Sequence, residues 1–184
     1  MVMSLQIMKS NLRHTGSFAV LALLPFILFL SGCIKEEEYS HIPEISYEGI
    51  QLVYANDSAV FPSRGIIVIS FQDGDGDLGL DNDETSPPYD SASGYYYNYV
   101  IRYFEKHDTG YVEPLLATPF STRIPVLNQG YEGKPLKGTI VDTLVMDPSP
   151  DYDTIRFELF IYDRALNKSN VLTTPDIVLR RTGI

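Results

Sequence analysis

The chain has 184 residues, enough for one domain with a packed core, and its formal net charge is −10. Its 24 acidic residues all follow Cys33 and outnumber the 14 basic ones, which argues against nucleic acid as a partner, because nucleic-acid binding needs basic side chains. A single cysteine allows no internal disulfide, so packing alone must hold the core.

The first 32 residues have the pattern of a secretion signal. Lys9 and Arg13 precede an apolar run over residues 18–30, and no acidic residue occurs before Cys33. This run fits the apolar centre of a signal peptide and is shorter than the about 20 residues that a membrane span needs. We therefore predict that residues 1–32 are removed and exclude them from the fold.

The cysteine ends the motif Leu30-Ser31-Gly32-Cys33. This motif resembles the lipobox of bacterial lipoproteins, which implies that the Cys33 thiol receives a diacylglycerol and that the new amine is acylated, for example with palmitate. Two or more acyl chains anchor a protein stably, whereas one chain holds it weakly. The resemblance therefore predicts a permanent lipid anchor at Cys33.

Residues 33–43 are predicted to form a lipidated tether. The segment Ile34-Lys35-Glu36-Glu37-Glu38 resembles the surface-export signal of Bacteroidota lipoproteins. This resemblance implies that the protein reaches the outer face of the outer membrane. A solvated charged linker is the alternative interpretation of the same residues.

Residues 44–184 are predicted to form one all-β domain, because their apolar residues recur with the period of two that strands require. The alternation is clearest over 154–162, while the continuous β-branched run over 66–71 is typical of a central strand. The predicted strands cover 45–54, 65–72, 95–105, 111–117, 136–144, 154–162 and 170–180.

About seven strands in a chain of this size favour an antiparallel β-sandwich of immunoglobulin type, with a small β-barrel as the alternative. The segment 162–170 supports the sandwich, because it resembles the hairpin between the last two strands of bacterial Ig-like domains. That hairpin often reads Asp-Arg-Ala-Gly-Asn-x-Ser. Here Leu166 stands where glycine is usual, which leaves the type of turn open.

The richest chemistry follows the second strand, in Asp73-Gly74-Asp75-Gly76-Asp77-Leu78-Gly79-Leu80-Asp81. Alternating carboxylates offer the oxygen donors that calcium prefers, and glycines permit a tight backbone curve. Glu84 occupies the place of the last EF-hand ligand, but Leu78 replaces the loop glycine and a strand precedes the loop, so this is not an EF-hand. A solvated acidic turn is the alternative.

Sandwich topology predicts further ligands for this loop. The second and sixth predicted strands run in the same direction in facing sheets, so the loops that follow them emerge at the same end. Crowded carboxylates repel one another, and a divalent cation removes the repulsion. We therefore predict a structural calcium site with these ligands: Asp73, Asp75, Asp77, Asp81, Glu84, Asp163 and Asn167. The motif Asp-Gly-Asp-Gly-Asp-Leu-Gly also resembles a signature of uncharacterised Bacteroidota lipoproteins, which implies no established activity.

A second candidate site is the tyrosine-rich segment 95–99. On a strand, Tyr95, Tyr97 and Tyr99 would share one face and could stack on sugar rings. Packing in the core and across strands is the alternative.

The sequence favours a non-enzymatic function. It has neither a Gly-x-Ser-x-Gly motif nor a His-Glu-x-x-His motif. We predict a lipid-anchored protein of the outer-membrane surface, with a calcium-stabilised Ig-like domain for binding or assembly in an envelope protein complex. The alternative is a glycan-binding accessory lipoprotein for polysaccharide uptake. A weaker alternative is a hydrolase that uses paired carboxylates of the acidic loop.

Overall fold

The computed structural model describes residues 39–127, 133–147 and 152–180, and these contain eight strands and no helix. The predicted signal peptide, the anchor cysteine and tether residues 34–38 lie outside the described residues. The strands are β1 (Glu44–Val53), β2 (Arg64–Asp73), β3 (Tyr99–His107), β4 (Gly110–Val112), β5 (Leu136–Val145), β6 (Thr154–Ile161), β7 (Leu172–Thr173) and β8 (Ile177–Val178). No helix that could cross a membrane occurs within these ranges.

The strands form two antiparallel sheets. One sheet has the order β1-β2-β5, and the other has the order β4-β3-β6-β7, with β8 also paired to β6. The predicted all-β sandwich is confirmed, and the barrel alternative is wrong because the sheets do not close on each other. The strand order is the one that Ig-type sandwiches have for A-B-E and C′-C-F-G.

The core lies between the sheets and follows the alternation of apolar residues. Ile67 and Ile69 of β2 and Phe157 and Leu159 of β6 are completely buried, while their neighbours in sequence are half-buried on the outer faces. β2 is the central strand of its sheet, as its continuous apolar run predicts. These two central strands position the loops of the candidate site.

Two strands differ from their predicted ranges for identifiable reasons. β3 begins at Tyr99 instead of residue 95, because the Asn98 side chain accepts from the Ile124 N–H (2.6 Å) and donates to the Ile124 carbonyl (3.2 Å). These bonds hold the chain against a loop before it reaches the sheet. β4 covers only Gly110–Val112, and Pro114, which cannot donate a ladder hydrogen bond, follows it closely.

The predicted last strand, 170–180, is divided into β7 and β8. Between them the Thr174 N–H donates to Phe157 O (2.9 Å), while the Phe157 N–H donates to Thr174 Oγ1 (3.0 Å). Pro175 follows and has no N–H to continue the ladder. A side chain and a proline therefore interrupt what the apolar pattern indicates as one strand.

Candidate metal centre

The loop after β2 and the loop after β6 meet at one end of the sandwich. The Arg164 N–H donates to the Asp77 carbonyl (3.3 Å), and the Ala165 N–H donates to Asp77 Oδ2 (3.1 Å). The two segments are therefore joined by hydrogen bonds from backbone donors, although 88 positions separate Asp77 from Ala165 in sequence. The proximity of these loops is what sandwich topology predicts.

A cluster of three carboxylates, which we call the aspartate cluster, lies where the loops meet. One oxygen each from Asp73, Asp77 and Asp163 lies within 4.8 Å of the other two. Asp73 is 0% exposed and Asp163 is 2% exposed. Such a group of buried carboxylates is costly unless a cation or hydrogen-bond donors compensate it.

Several oxygens at the cluster lack a hydrogen-bond partner within the described residues. They are both carboxylate oxygens of Asp73, together with Oδ1 of Asp75 and Oδ1 of Asp77. Buried polar atoms in native proteins nearly always have a partner, so each exception needs an explanation. These oxygens without donors lie on the segment after β2, beside the Asp163 carboxylate of the second loop, and together they form a coordination environment of the kind that a hard cation such as calcium prefers.

The electrostatics of the cluster also indicate uncompensated negative charge. Burial, together with the neighbouring charges of Asp75 and Asp77, raises the pKa of Asp73 to about 7. Burial and the Asp163 charge raise the pKa of Asp77 to about 6. Burial also raises the pKa of Asp163, although hydrogen bonds from Asn167 oppose this effect. At neutral pH the aspartate cluster therefore carries charge that its surroundings do not stabilise.

Asn167 orients the cluster rather than pointing an oxygen into it. Its Nδ2 donates to Asp163 Oδ2 (2.8 Å), and its backbone N–H donates to Asp163 Oδ1 (2.7 Å). These two bonds fix the plane of the Asp163 carboxylate. The structure therefore places Asn167 beside the predicted ligands, with its amide nitrogen turned towards them.

The structure does not bring Asp81 and Glu84 into the aspartate cluster. The Arg164 guanidinium holds the Glu84 carboxylate through both terminal nitrogens, with Nη1 2.8 Å from Oε2. This hydrogen-bonded ion pair lowers the pKa of Glu84. Asp81 is exposed, and its carbonyl accepts a hydrogen bond from Arg123 (2.9 Å). Glu84, which the EF-hand spacing suggests as a metal ligand, is therefore paired with Arg164 instead.

Arg164 is the residue that the sequence reasoning overlooked. Besides Glu84, its Nη1 contacts Gly79 O (3.3 Å), and its carbonyl accepts a hydrogen bond from the Tyr89 hydroxyl (2.6 Å). Together with the bond from its N–H to the Asp77 carbonyl, these contacts connect Arg164 to four points of the long loop after β2. The sequence does indicate this contact. Any topology that brings Asp163 to the acidic loop also brings the adjacent Arg164 there.

The end of the predicted tether packs on the acidic loop. The Gly74 N–H donates to Ser40 O (2.8 Å), and His41 Nδ1 lies 3.5 Å from Asp75 Oδ2. A Cβ at position 74 would overlap the Tyr39 carbonyl oxygen, so this close approach requires glycine. The first described residues therefore cover one side of the candidate site.

Leu166 adopts the conformation that the Ig-like resemblance assigns to glycine. Its φ is 67°, in the left-handed region, and its N–H donates to the Asp163 carbonyl (3.2 Å). Left-handed backbone is unfavourable for residues that carry a Cβ. The tight turn after β6 is thus retained without glycine, and it keeps Asp163 and Asn167 in place.

The three candidate glycan-binding tyrosines do not share a face. Tyr99 is 1% exposed and lies in the core, whereas Tyr95 and Tyr97 precede the strand. The Tyr95 ring packs edge-on against Tyr162 (4.9 Å between centroids), and the Tyr97 ring packs against Tyr96 (4.8 Å). The expected platform of Tyr95, Tyr97 and Tyr99 therefore does not form, because the strand starts too late for the alternation to apply.

Comparison with known proteins gave no significant match to a family model, to a curated protein or to a solved structure. The candidate site therefore has to be interpreted from its own residues.

Proposed function

We propose that this chain is a lipid-anchored protein of the outer-membrane surface, whose calcium-stabilised β-sandwich serves in binding or assembly and not in catalysis. The observation that carries the metal assignment is Asp73, a completely buried carboxylate with no hydrogen-bond partner in the described residues, next to two further carboxylates. The lipid anchor and the surface location rest on the motif that ends at Cys33 and on the charged residues after it.

Calcium is the ion that the donor set favours. The candidate ligands are all oxygens on loops, and calcium accepts six to eight oxygen ligands at about 2.3–2.6 Å in flexible geometry. Magnesium needs a near-octahedral arrangement and keeps several waters, which a buried cluster accommodates poorly. Further oxygens would come from Asp75 and from backbone carbonyls of the same loops.

A structural role for the ion fits the burial of its ligands better than a hydrolytic role. Carboxylates that cleave glycosidic bonds must flank a bound sugar. Asp73 and Asp163 are buried, and hydrogen bonds join the loop after β2 to the loop after β6 and to the predicted tether. An ion at this position would join the two loops and hold the tether end against them.

Thermal unfolding of the full chain in detergent, with calcium or with EDTA, tests this proposal. An ion present at about 100 times its dissociation constant stabilises by about 2.7 kcal/mol. For a domain of this size, that corresponds to a rise of about 5–10 °C in melting temperature. Magnesium at the same concentration is the control and should produce a smaller rise. Equal melting temperatures in calcium and in EDTA would refute a structural calcium ion.

A further inference from the structure

The two sheets have four outer edges, and three of them carry features that prevent strand addition. At β1, the Asn170 side chain accepts from the Ile45 N–H (2.8 Å) and donates to the Ile45 carbonyl (2.9 Å). A register shift between Tyr47 and Gly49 further distorts this strand. Bulges and occupied backbone groups are the devices by which natural proteins protect sheet edges.

Both edges of the other sheet are too short to act as templates. β4 has three residues. β7 and β8 have two residues each and are separated by a segment that contains Pro175. Very short edge strands and proline are likewise protective.

β5 is different from the other three edges. It has ten residues, contains no proline, and pairs with β2 over its whole length without a register shift. Among residues 39–127, 133–147 and 152–180, no strand pairs with its other side. A long, regular edge without a proline or a bulge presents a row of backbone donors and acceptors to another chain.

A groove lies beside this edge, between the C-terminal half of β5 and the segment 114–122. Its volume is about 760 Å³. Apolar side chains line it, among them Leu116, Phe120, Leu144 and Met146. The groove can therefore receive apolar side chains of a chain that lies along β5.

The charged residues of the groove are all acidic. Glu105, Asp142 and Asp147 line it, and no lysine or arginine does so among the described residues. Burial raises the pKa of Asp142, so a cation beside it would relieve the cost of its charge. On the outer side of the same strand, Val141 is 64% exposed and Val145 is 74% exposed.

We propose that β5 binds an extended segment of a partner protein as an added strand, whose groove-facing side chains are apolar beside Leu144 and Met146 and basic beside Asp142 and Asp147. The other side chains of the segment would lie beside Val141 and Val145. A second copy of this chain fits poorly, because each copy carries a net charge of −10 and its own acidic residues along this edge. The inference rests on the proposed binding role and gives that role a class of partner.

The test uses the full chain in detergent with a capped peptide of two Val-Thr-Lys-Thr repeats, which on a strand directs valine and lysine to one face and threonine to the other. We expect saturable binding, measured by calorimetry, and slower amide hydrogen exchange over residues 139–145. Asp142→Asn should weaken binding about fivefold, because it removes one partly buried ion pair. Glu48→Gln, an equal change of charge on β1, is the matched control and should leave the affinity unchanged.

Two further peptides separate strand addition from simple charge attraction. A peptide of Val-Thr-Glu-Thr repeats should not bind, and the Val-Thr-Lys-Thr peptide with alternate backbone nitrogens methylated should lose binding although its charge is retained. Equal binding of the methylated peptide, or an unchanged exchange rate in β5, would overturn the proposal. Self-association through β5 would overturn it as well. None of these measurements depends on calcium or on the membrane face, so this proposal can fail independently of the proposed function.

Discussion

Replacing Asp73 with asparagine should have opposite effects with and without calcium. The asparagine side chain would keep the shape of the aspartate and remove its negative charge from the aspartate cluster. Without calcium, the loss of an unstabilised charge should make the domain more stable. With calcium, the loss of a ligand should remove most of the stabilisation that the ion provides.

The magnitude follows from the pKa of Asp73. Burial and its acidic neighbours raise this pKa from 3.8 to about 7, so ionising Asp73 costs about 4 kcal/mol more in the folded than in the unfolded protein, and at pH 8 this cost lowers stability. Because part of this rise comes from the charges of neighbouring carboxylates that titrate together with Asp73, we expect the free energy of unfolding of metal-free Asp73→Asn to exceed that of the unmodified protein by about 2–4 kcal/mol.

The dependence on pH has a defined sign. At pH 3, a carboxyl with a raised folded-state pKa is protonated in both the folded and the unfolded state. It therefore does not lower the free energy of unfolding at that pH. Between about pH 4 and pH 7 the unfolded state loses its proton first, so the metal-free protein should lose stability as the pH rises. Asp73→Asn should flatten this decline.

Urea unfolding followed by circular dichroism, at pH 5 and pH 8 and with calcium or EDTA, measures these effects. Glu84→Gln is the matched control, because it makes the same chemical change in the same loop outside the aspartate cluster. It should weaken the ion pair with Arg164 and lower stability in both media, while the calcium-dependent gain persists. If Asp73→Asn destabilises the metal-free protein at pH 8, or keeps the full calcium-dependent gain, our interpretation of the cluster is wrong.

Two further predictions concern the turn and the anchor. Leu166→Gly should raise the free energy of unfolding by about 1 kcal/mol, because glycine adopts the left-handed conformation without strain. Leu166→Ala retains the strain and should not stabilise the protein. Equal effects of the two variants in chemical denaturation would contradict this account. Cys33→Ala should abolish incorporation of an alkyne-labelled fatty acid in growing cells and release the protein from the membrane fraction; retained label would place the anchor elsewhere.

The fold was largely predictable because it depends on alternation that is visible in the sequence. The strand around Phe157 carries apolar residues at every second position, which fixes its buried face, and the continuous apolar run around Ile67 marks a central strand. The direction of the same strands also predicts that Asp163 lies near Asp73. These inferences succeed because they use the period and polarity of strands, which local sequence determines.

The failures come from contacts between residues far apart in the chain. The spacing of Glu84 suggests a ligand, but Arg164, 80 positions later, takes its carboxylate. The tyrosine-rich segment 95–99 suggests the start of a strand, but the Asn98 side chain binds the backbone of Ile124. The strand therefore begins only at Tyr99. In both cases a contact with a residue far along the chain overrides a local pattern. The local sequence does not indicate which distant residue makes that contact.

The contact between Ser40 and Gly74 has a consequence for how the domain stands on a membrane. If Cys33 carries lipid, the chain from Cys33 to Tyr39 can extend at most about 20 Å, so the lipid would be tethered to the domain at the end of the sandwich that carries the aspartate cluster. The register of β5 places Leu136 opposite Asp73 at this end and Val145 opposite Arg64 at the other end. Asp142 and Asp147 lie nearer this other end, so a partner strand on β5 would bind away from the point of attachment.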